Sequence, residues 1–549
     1  MTTLGRSTRI VSYAEFLLII VFALLPLFGS YPFRINIFLS WDGAYRMSHG
    51  QIPFKDFGMP LGFGYWIIPA FFMKIFGPAM ITLVKAQSFI NIISGFAFLS
   101  ILKSFRIPPY SRILVLLVYI VSYSMLNFWP WYNNTVIIYE IIGLAFLFKY
   151  LLPKDGAEPK NYWLILAAVF TFLSFFTKQD GGGLALMLCI ALLIYHCILH
   201  KKVKPLLIFI ASYAVFAGII IIPLLKYGFG YWFNHGQPPH STRLSLYDLF
   251  NRVFAKSEDI KFYVLLCVLL LIPYFKSGVS FLRNERLMLF ALLTFGILTE
   301  AAIFQFTSYV PANNNIFFHA FAFAFILMLL NEKDILLINN GKQFVLALAA
   351  VLLWWSAAFW KYIDPKIQRA FPPSTATISP TGENIINEHT YRLNADTFNY
   401  KKYQSGWTFS SVPVFRKISM PASTVEGIDR LMHNPEILSK IPNNRILNMT
   451  ELTPLSYAMG FGTERGSEYP LWYHLGVGMY NKQKDMYCNK IAQHYYDVVL
   501  YEYIPNLNNF YPFAVRDALR ANYQLIDSFD APRLPPALGT IEVYVKPSH

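Results

Sequence analysis

Between Trp41 and Pro60 the sequence reads WDGAYRMSHGQIPFKDFGMP, which places Asp42, Tyr45, Arg46, Lys55 and Asp56 in one short stretch beside a very apolar segment. A carboxylate near such a boundary is partly desolvated. Its pKa rises, and it can take a proton from a hydroxyl. Asp42 and Asp56 are therefore candidate bases. Arg46 and Lys55 are the residue types that hold phosphate groups. A second set is TKQDGGG, with Lys178, Gln179 and Asp180 ahead of three glycines. A lysine at the edge of an apolar run can snorkel toward water or meet a phosphate at that depth, and glycines let backbone approach a ligand. Lys85, Arg243 and two carboxyls inside apolar runs, Glu140 and Glu300, complete the set. Ionisable groups in such runs are costly and face a cavity or a partner. His235 and His240 lack a third ligand nearby in sequence, so they read as solvated loop residues. The sequence points to no metal site and no cofactor.

The elements that must position these residues follow from composition. The chain has 549 residues, of which 55% are hydrophobic, 17% aromatic and only 14% charged, against about 25% charged in soluble domains. Apolar runs long enough to cross a bilayer as helices occur at 10–31, 79–102, 111–128, 132–151, 161–177, 182–199, 204–225, 261–275, 286–306, 315–331 and 343–360. The expected architecture is an all-α polytopic membrane domain of about eleven spans over 1–360, with a long first outer loop at 32–78. The run 61–77 is placed in the outer interface, because the basic loop KSFRIPPYSR then falls inside, as positively charged loops do. On that reading the N-terminus is cytoplasmic.

After residue 360 the composition turns polar. Short β-branched stretches (NNRILNMT, YYDVVLYEYI, TIEVYVK) alternate with amphipathic ones (VEGIDRLMHNPEILSK, FAVRDALRANY), which predicts an extracytoplasmic α/β domain over 361–549. The net charge of +15 is read as cytoplasmic loops facing anionic lipid, not as a nucleic-acid surface. The four cysteines form no CxxC pair and no disulfide framework.

The pattern D-G-A-Y-R-M-S-H-G-Q-I-P-F-K-D-F-G-M-P resembles the first extracytoplasmic loop of the C-type glycosyltransferases, polytopic enzymes that use polyprenyl-phosphate-linked sugars, among them protein O-mannosyltransferases and lipid A aminoarabinose transferases. Asp42, Tyr45, Arg46, Gly50, Pro53, Phe54, Asp56, Phe57 and Pro60 carry the match. Lys85 in MITLVKAQSF and the turn SFFTKQDGGGLAL are similar to further family features, over about the first 200 residues. The chain departs from the family in NFWPWYNNT, where relatives often carry a second acid, so Glu140 is the nearest candidate for that role.

The resemblance implies an inverting glycosyltransferase of the cell membrane, of the bacterial inner membrane type. Asp42 would be the base, and Lys178, Lys85, Arg46 and Arg243 would meet the donor phosphate. Tyr45, Lys55, Gln179 and Asp180 would line the site. Its partners would be the bilayer, the lipid-linked donor and a glycan, lipid or protein acceptor. An O-antigen ligase or polymerase, or a flippase of lipid-linked glycan, stays open as an alternative.

Overall fold

The computed structural model describes residues 3–547 except 35–36, 155–156, 234–256, 276–278, 309–315, 334, 336–337, 339–340, 355–362, 364–365, 367–405, 442–444, 472, 474–478, 506–510 and 534–537. A helix stands at each of the eleven predicted runs. In chain order with the loop helices they are α1 (Thr3–Leu24), α2 (Ile37–Ser48), α3 (Ile67–Phe76), α4 (Ile81–Ser104), α5 (Pro109–Ser122), α6 (Tyr132–Leu151), α7 (Tyr162–Thr177), α8 (Gln179–His200), α9 (Lys204–Ile221), α10 (Glu258–Phe275), α11 (Glu285–Ser308), α12 (Phe318–Glu332) and α13 (Gly341–Trp354). Prolines sit at the starts of α5 and α9, where the missing N–H costs nothing.

Among the described residues six segments can cross a membrane by length and composition, and α5, α7, α12 and the segment Phe63–Phe76, which includes α3, are shorter apolar helices. The protein is a multi-pass membrane protein, while eleven full crossings are more than length and apolarity alone support. The spans differ in burial. That of α6 is 83% buried and that of α9 is 11% buried, so α6 runs through the centre of the bundle and α9 along its outside.

At one end of the bundle the first helix is anchored by charge. Glu15 is fully buried and accepts from Arg112 Nε at 2.7 Å, with Lys103 Nζ 3.3 Å away. Lys103 at the end of α4 and Arg112 in the first turn of α5 thus fix α1.

At the other end lies the C-terminal module. Its four-stranded sheet runs β4 (Ile446–Met449), β5 (Val498–Tyr503), β7 (Thr540–Val545), β6 (Gln524–Asp530), with β4 and β5 parallel and the other pairs antiparallel. Helices Ala422–His433, Tyr480–Ala492 and Phe513–Asn522 accompany it. The three strands foreseen from the sequence are β4, β5 and β7. The edge strand β6 was not foreseen, because QLIDSFD alternates poorly and is mostly half-exposed or exposed.

A smaller sheet ties the module to the first loop. In it β1 (Tyr31–Pro32) pairs parallel with β3 (Ile418–Pro421), which pairs antiparallel with β2 (Trp407–Phe409). Beneath these strands Trp41, Trp66 and Leu83 share one hydrophobic core with Phe415, Ile428 and Leu452. Loop and module therefore fold as one body around the candidate site.

Candidate active site

Asp42 stands on a helix, α2, and not in an open loop. The stretch is too polar to announce a helix, yet its i,i+4 pairs hold one together. Trp41 stacks on Tyr45 at 4.6 Å. Arg46 Nε lies 3.0 Å from both oxygens of Asp42, with the acid N-terminal to the base as such pairs prefer. Two indoles pin the helix: Trp41 donates to Pro78 O at 2.7 Å and Trp66 donates to Leu39 O at 2.8 Å.

Asp42 and Arg46 are both buried, with side chains 7% and 2% exposed. Arg46 Nη1 also donates to Gln51 Oε1 at 3.1 Å and, across to the C-terminal module, to Glu464 O at 2.7 Å. Its guanidinium lies over Phe57 and over Tyr469. Burial pushes the Asp42 carboxyl above the ordinary aspartate range, and Arg46 pulls it back only in part. The same burial, with Asp42 beside it, pushes the Tyr45 hydroxyl up.

The pair forms the floor of a narrow cleft walled by the C-terminal module, with Asn448, Thr453, Thr463 and Glu464 among its lining. Gln51 Nε2 donates to Thr463 Oγ1 at 2.8 Å and closes one side. The buried Thr453 hydroxyl oxygen has no hydrogen-bond partner among the described residues. Asp56 has a different task. Its Oδ2 accepts from Ile52 N at 2.7 Å and its carbonyl accepts from Gly466 N at 2.8 Å, so it shapes the turn after α2. Lys55 lies over the Tyr227 ring and Lys85 over the Phe76 ring.

The second predicted set forms its own cluster. Lys178 links α7 to α8 and is nearly buried, with Nζ 3.2 Å from Asp180 Oδ2 and the Tyr132 and Phe304 rings beside it. Gln179 Nε2 donates to Trp232 O at 2.8 Å. Below the turn Glu140 and Glu300 are buried and face one another. Glu300 also feels Asp180. Of the three glycines of this turn, Gly182 packs against backbone. A Cβ on Gly182 would stand 2.1 Å from the Phe175 backbone, so α8 presses on α7 here.

The two sets meet through the first loop. Gly62 rests on the Phe176 carbonyl, where a Cβ would come within 1.6 Å, and Tyr139 donates to Gly64 O at 2.8 Å. A file of rings, Phe57, Trp66, Tyr65 and Tyr132, runs from Arg46 to Lys178. Arg243, His235 and His240 lie outside the described residues. Two residues that shape the site were not foreseen, Gln51 and Glu464. The first sits in the quoted stretch without a distinguishing mark, and the second contacts Arg46 through its backbone, which no side-chain pattern reveals.

No protein-family model matches the sequence, and no curated protein matches it. Solved structures do. ArnT from Cupriavidus metallidurans in the apo state superposes with a TM-score of 0.54 at 10% identity, over 97% of each chain. The same protein bound to undecaprenyl phosphate superposes at 0.52 and 9% identity, over 99% of this chain and 98% of that one. The chain has the C-type glycosyltransferase fold. Arabinofuranosyltransferase AftD from Mycobacteria matches more loosely, at 0.47 and 11% identity, over 99% of this chain and 40% of that one. The superpositions on ArnT cover 97–99% of this chain, so the likeness takes in the C-terminal module that walls the Asp42 cleft.

Proposed function

We propose that this protein is an integral membrane glycosyltransferase that moves a sugar from a polyprenyl phosphate to a hydroxyl of an acceptor. The observation that carries the reading is a buried carboxylate, Asp42, at the floor of a cleft between the first loop and the C-terminal module. The fold's likeness to an ArnT structure holding undecaprenyl phosphate supports a lipid-phosphate donor.

The acceptor O–H enters the cleft and attacks the anomeric carbon, Asp42 takes the proton, and the bond from that carbon to the phosphate oxygen breaks. One displacement inverts the anomeric centre. Charge grows on the leaving lipid phosphate, and a fixed cation there lowers the barrier. Lys178, nearly buried at the head of α8, is our choice for that cation, with Lys85 and Arg243 as further contacts. Arg46 is engaged with Asp42, so its task is to hold the base in place and in its charged form. Amide and hydroxyl groups from Asn448, Thr453 and Thr463 suit a polyhydroxylated acceptor.

By the positive-inside rule the end carrying Glu15, Lys103 and Arg112 is cytoplasmic. The cleft and the C-terminal module then face outward from a bacterial inner membrane. The test is transfer by the purified protein in nanodiscs from a panel of undecaprenyl-phosphate sugars to hydroxylated acceptors. One donor should be consumed, with inversion and release of undecaprenyl phosphate. Release of undecaprenyl diphosphate, or retention of configuration, would overturn the reading.

A further inference from the structure

At the end of the bundle away from the Asp42 cleft, α8 carries His196 and His200 one turn apart on one face. Eighteen residues of helix separate His196 from Lys178, about 27 Å at the usual helical rise. The first residue of α11, Glu285, reaches across to them. His196 Nδ1 lies 2.7 Å and His200 Nε2 2.9 Å from the same oxygen, Glu285 Oε1. The two rings differ in the nitrogen they present, which lets side chains one turn apart converge on one point. All three ligand atoms lie within 4.8 Å of one another.

The scaffold around them is fixed on both sides. Tyr195 donates to Leu282 O at 2.9 Å, tying α8 to the approach to α11. The side chain of Asn284 accepts from Leu287 N at 3.3 Å and caps the turn that presents Glu285. The Tyr150 ring packs edge-on against His196. Ligands presented from helices and braced in this way are held more precisely than ligands on loops. His200 is exposed while His196 is half-buried, so a solvated ion has an entry path and water can fill a remaining position.

We propose that His196, His200 and Glu285 form a binding site for a zinc-class divalent cation, clamping α8 to α11 at the end of the bundle away from the cleft. Two imidazoles and one carboxylate suit zinc, cobalt, nickel or copper and not magnesium or calcium, which prefer oxygen ligands. At tetrahedral zinc distances of about 2.0–2.2 Å the ligand atoms sit about 3.3 Å apart. The two imidazole–carboxylate spacings of 2.7 and 2.9 Å need to open by about half an ångström, and the two ring nitrogens lie within 4.8 Å of one another. The site owes nothing to the glycosyl-transfer reading and stands or falls separately from it.

The test uses the full chain, its polyhistidine tag removed, stripped of metal and placed in nanodiscs. Zinc is titrated with bound metal and melting temperature as readouts, and cobalt is added to read the visible absorption of a tetrahedral site. Wild type should hold one zinc per chain, melt higher with it, show tetrahedral cobalt bands and ignore magnesium. His200→Gln and Glu285→Gln should each weaken zinc at least about tenfold while melting as metal-free wild type does. His196→Asn, close in volume and still able to hydrogen-bond, serves where a variant folds poorly. Failure of wild type to bind zinc, or equal zinc binding by the His196→Asn/His200→Gln double variant, would overturn the proposal. In either case the three side chains would be a hydrogen-bonded ion pair alone.

Discussion

Two buried acid sites sit at the same end of this bundle, and they are built in opposite ways. Asp42 is paired with Arg46, opens onto a cleft and is ringed by groups from the C-terminal module. Glu140 and Glu300 are buried inside the helices and face one another with no cation between them among the described residues. A buried carboxylate with a guanidinium beside it can remain charged. Two carboxyls confined together away from water cannot both be charged, so they must share a proton. A base for a hydroxyl has to be charged and reachable. Only the first arrangement meets both demands, which is why we propose Asp42 as the base and read the glutamate pair as packing beneath the Lys178 turn.

The sharpest way to break that contrast is to remove the cation. Arg46→Ala leaves Asp42 buried without its partner and should cost about 3–5 kcal/mol of stability, measured as denaturation of the protein in nanodiscs. Replacing both partners with apolar residues, Arg46→Met with Asp42→Leu, should recover most of that loss. No recovery would mean that the pair is held by something other than its mutual charge.

Lys178→Ala comes next. A charged hydrogen bond to a phosphate is worth about 1.5–3 kcal/mol, so affinity for the lipid-phosphate donor should fall about ten- to hundredfold. Unchanged donor affinity would return Lys178 to its contacts with Asp180, Tyr132 and Phe304. The smallest effect is expected for Glu140→Gln. The amide replaces one member of a pair that carries no required charge. Turnover should stay within about threefold, and stability should change by less than about 1 kcal/mol, within the range of ordinary substitutions. A hundredfold loss of turnover would move the chemistry down into the bundle.

How much of this was legible in the sequence depends on the range of the interaction. The long helices were legible because a bilayer demands runs of about 20 apolar residues, and all eleven runs carry helices. Strands β4, β5 and β7 of the module announced themselves by their β-branched residues. Helix α2 was not read, because Trp41, Asp42, Tyr45 and Arg46 are held by pairs one turn apart and not by an apolar stripe. The pairing of Tyr31–Pro32 with β3 joins residues nearly 400 positions apart, and no local pattern carries that. The same holds for Glu464 on Arg46 and for Glu285 on the α8 histidines. Asp42 and Lys178 were legible as residue types at the edges of apolar runs. That Arg46 belongs to the base more than to the phosphate became clear only from its geometry.

The central claim is that Asp42, raised by burial and held by Arg46, is the base. Its most direct test is the pH profile of transfer for wild type and Asp42→Asn, with donor affinity measured alongside. Because burial raises the Asp42 carboxyl, wild-type turnover should fall as pH drops, along a limb lying above the ordinary aspartate value of about 3.9. Asp42→Asn should lose about 10²-fold or more of turnover at neutral pH, lack that limb and bind donor nearly as wild type does. Near-normal turnover in Asp42→Asn, or an acid limb unchanged by the substitution, would contradict the assignment.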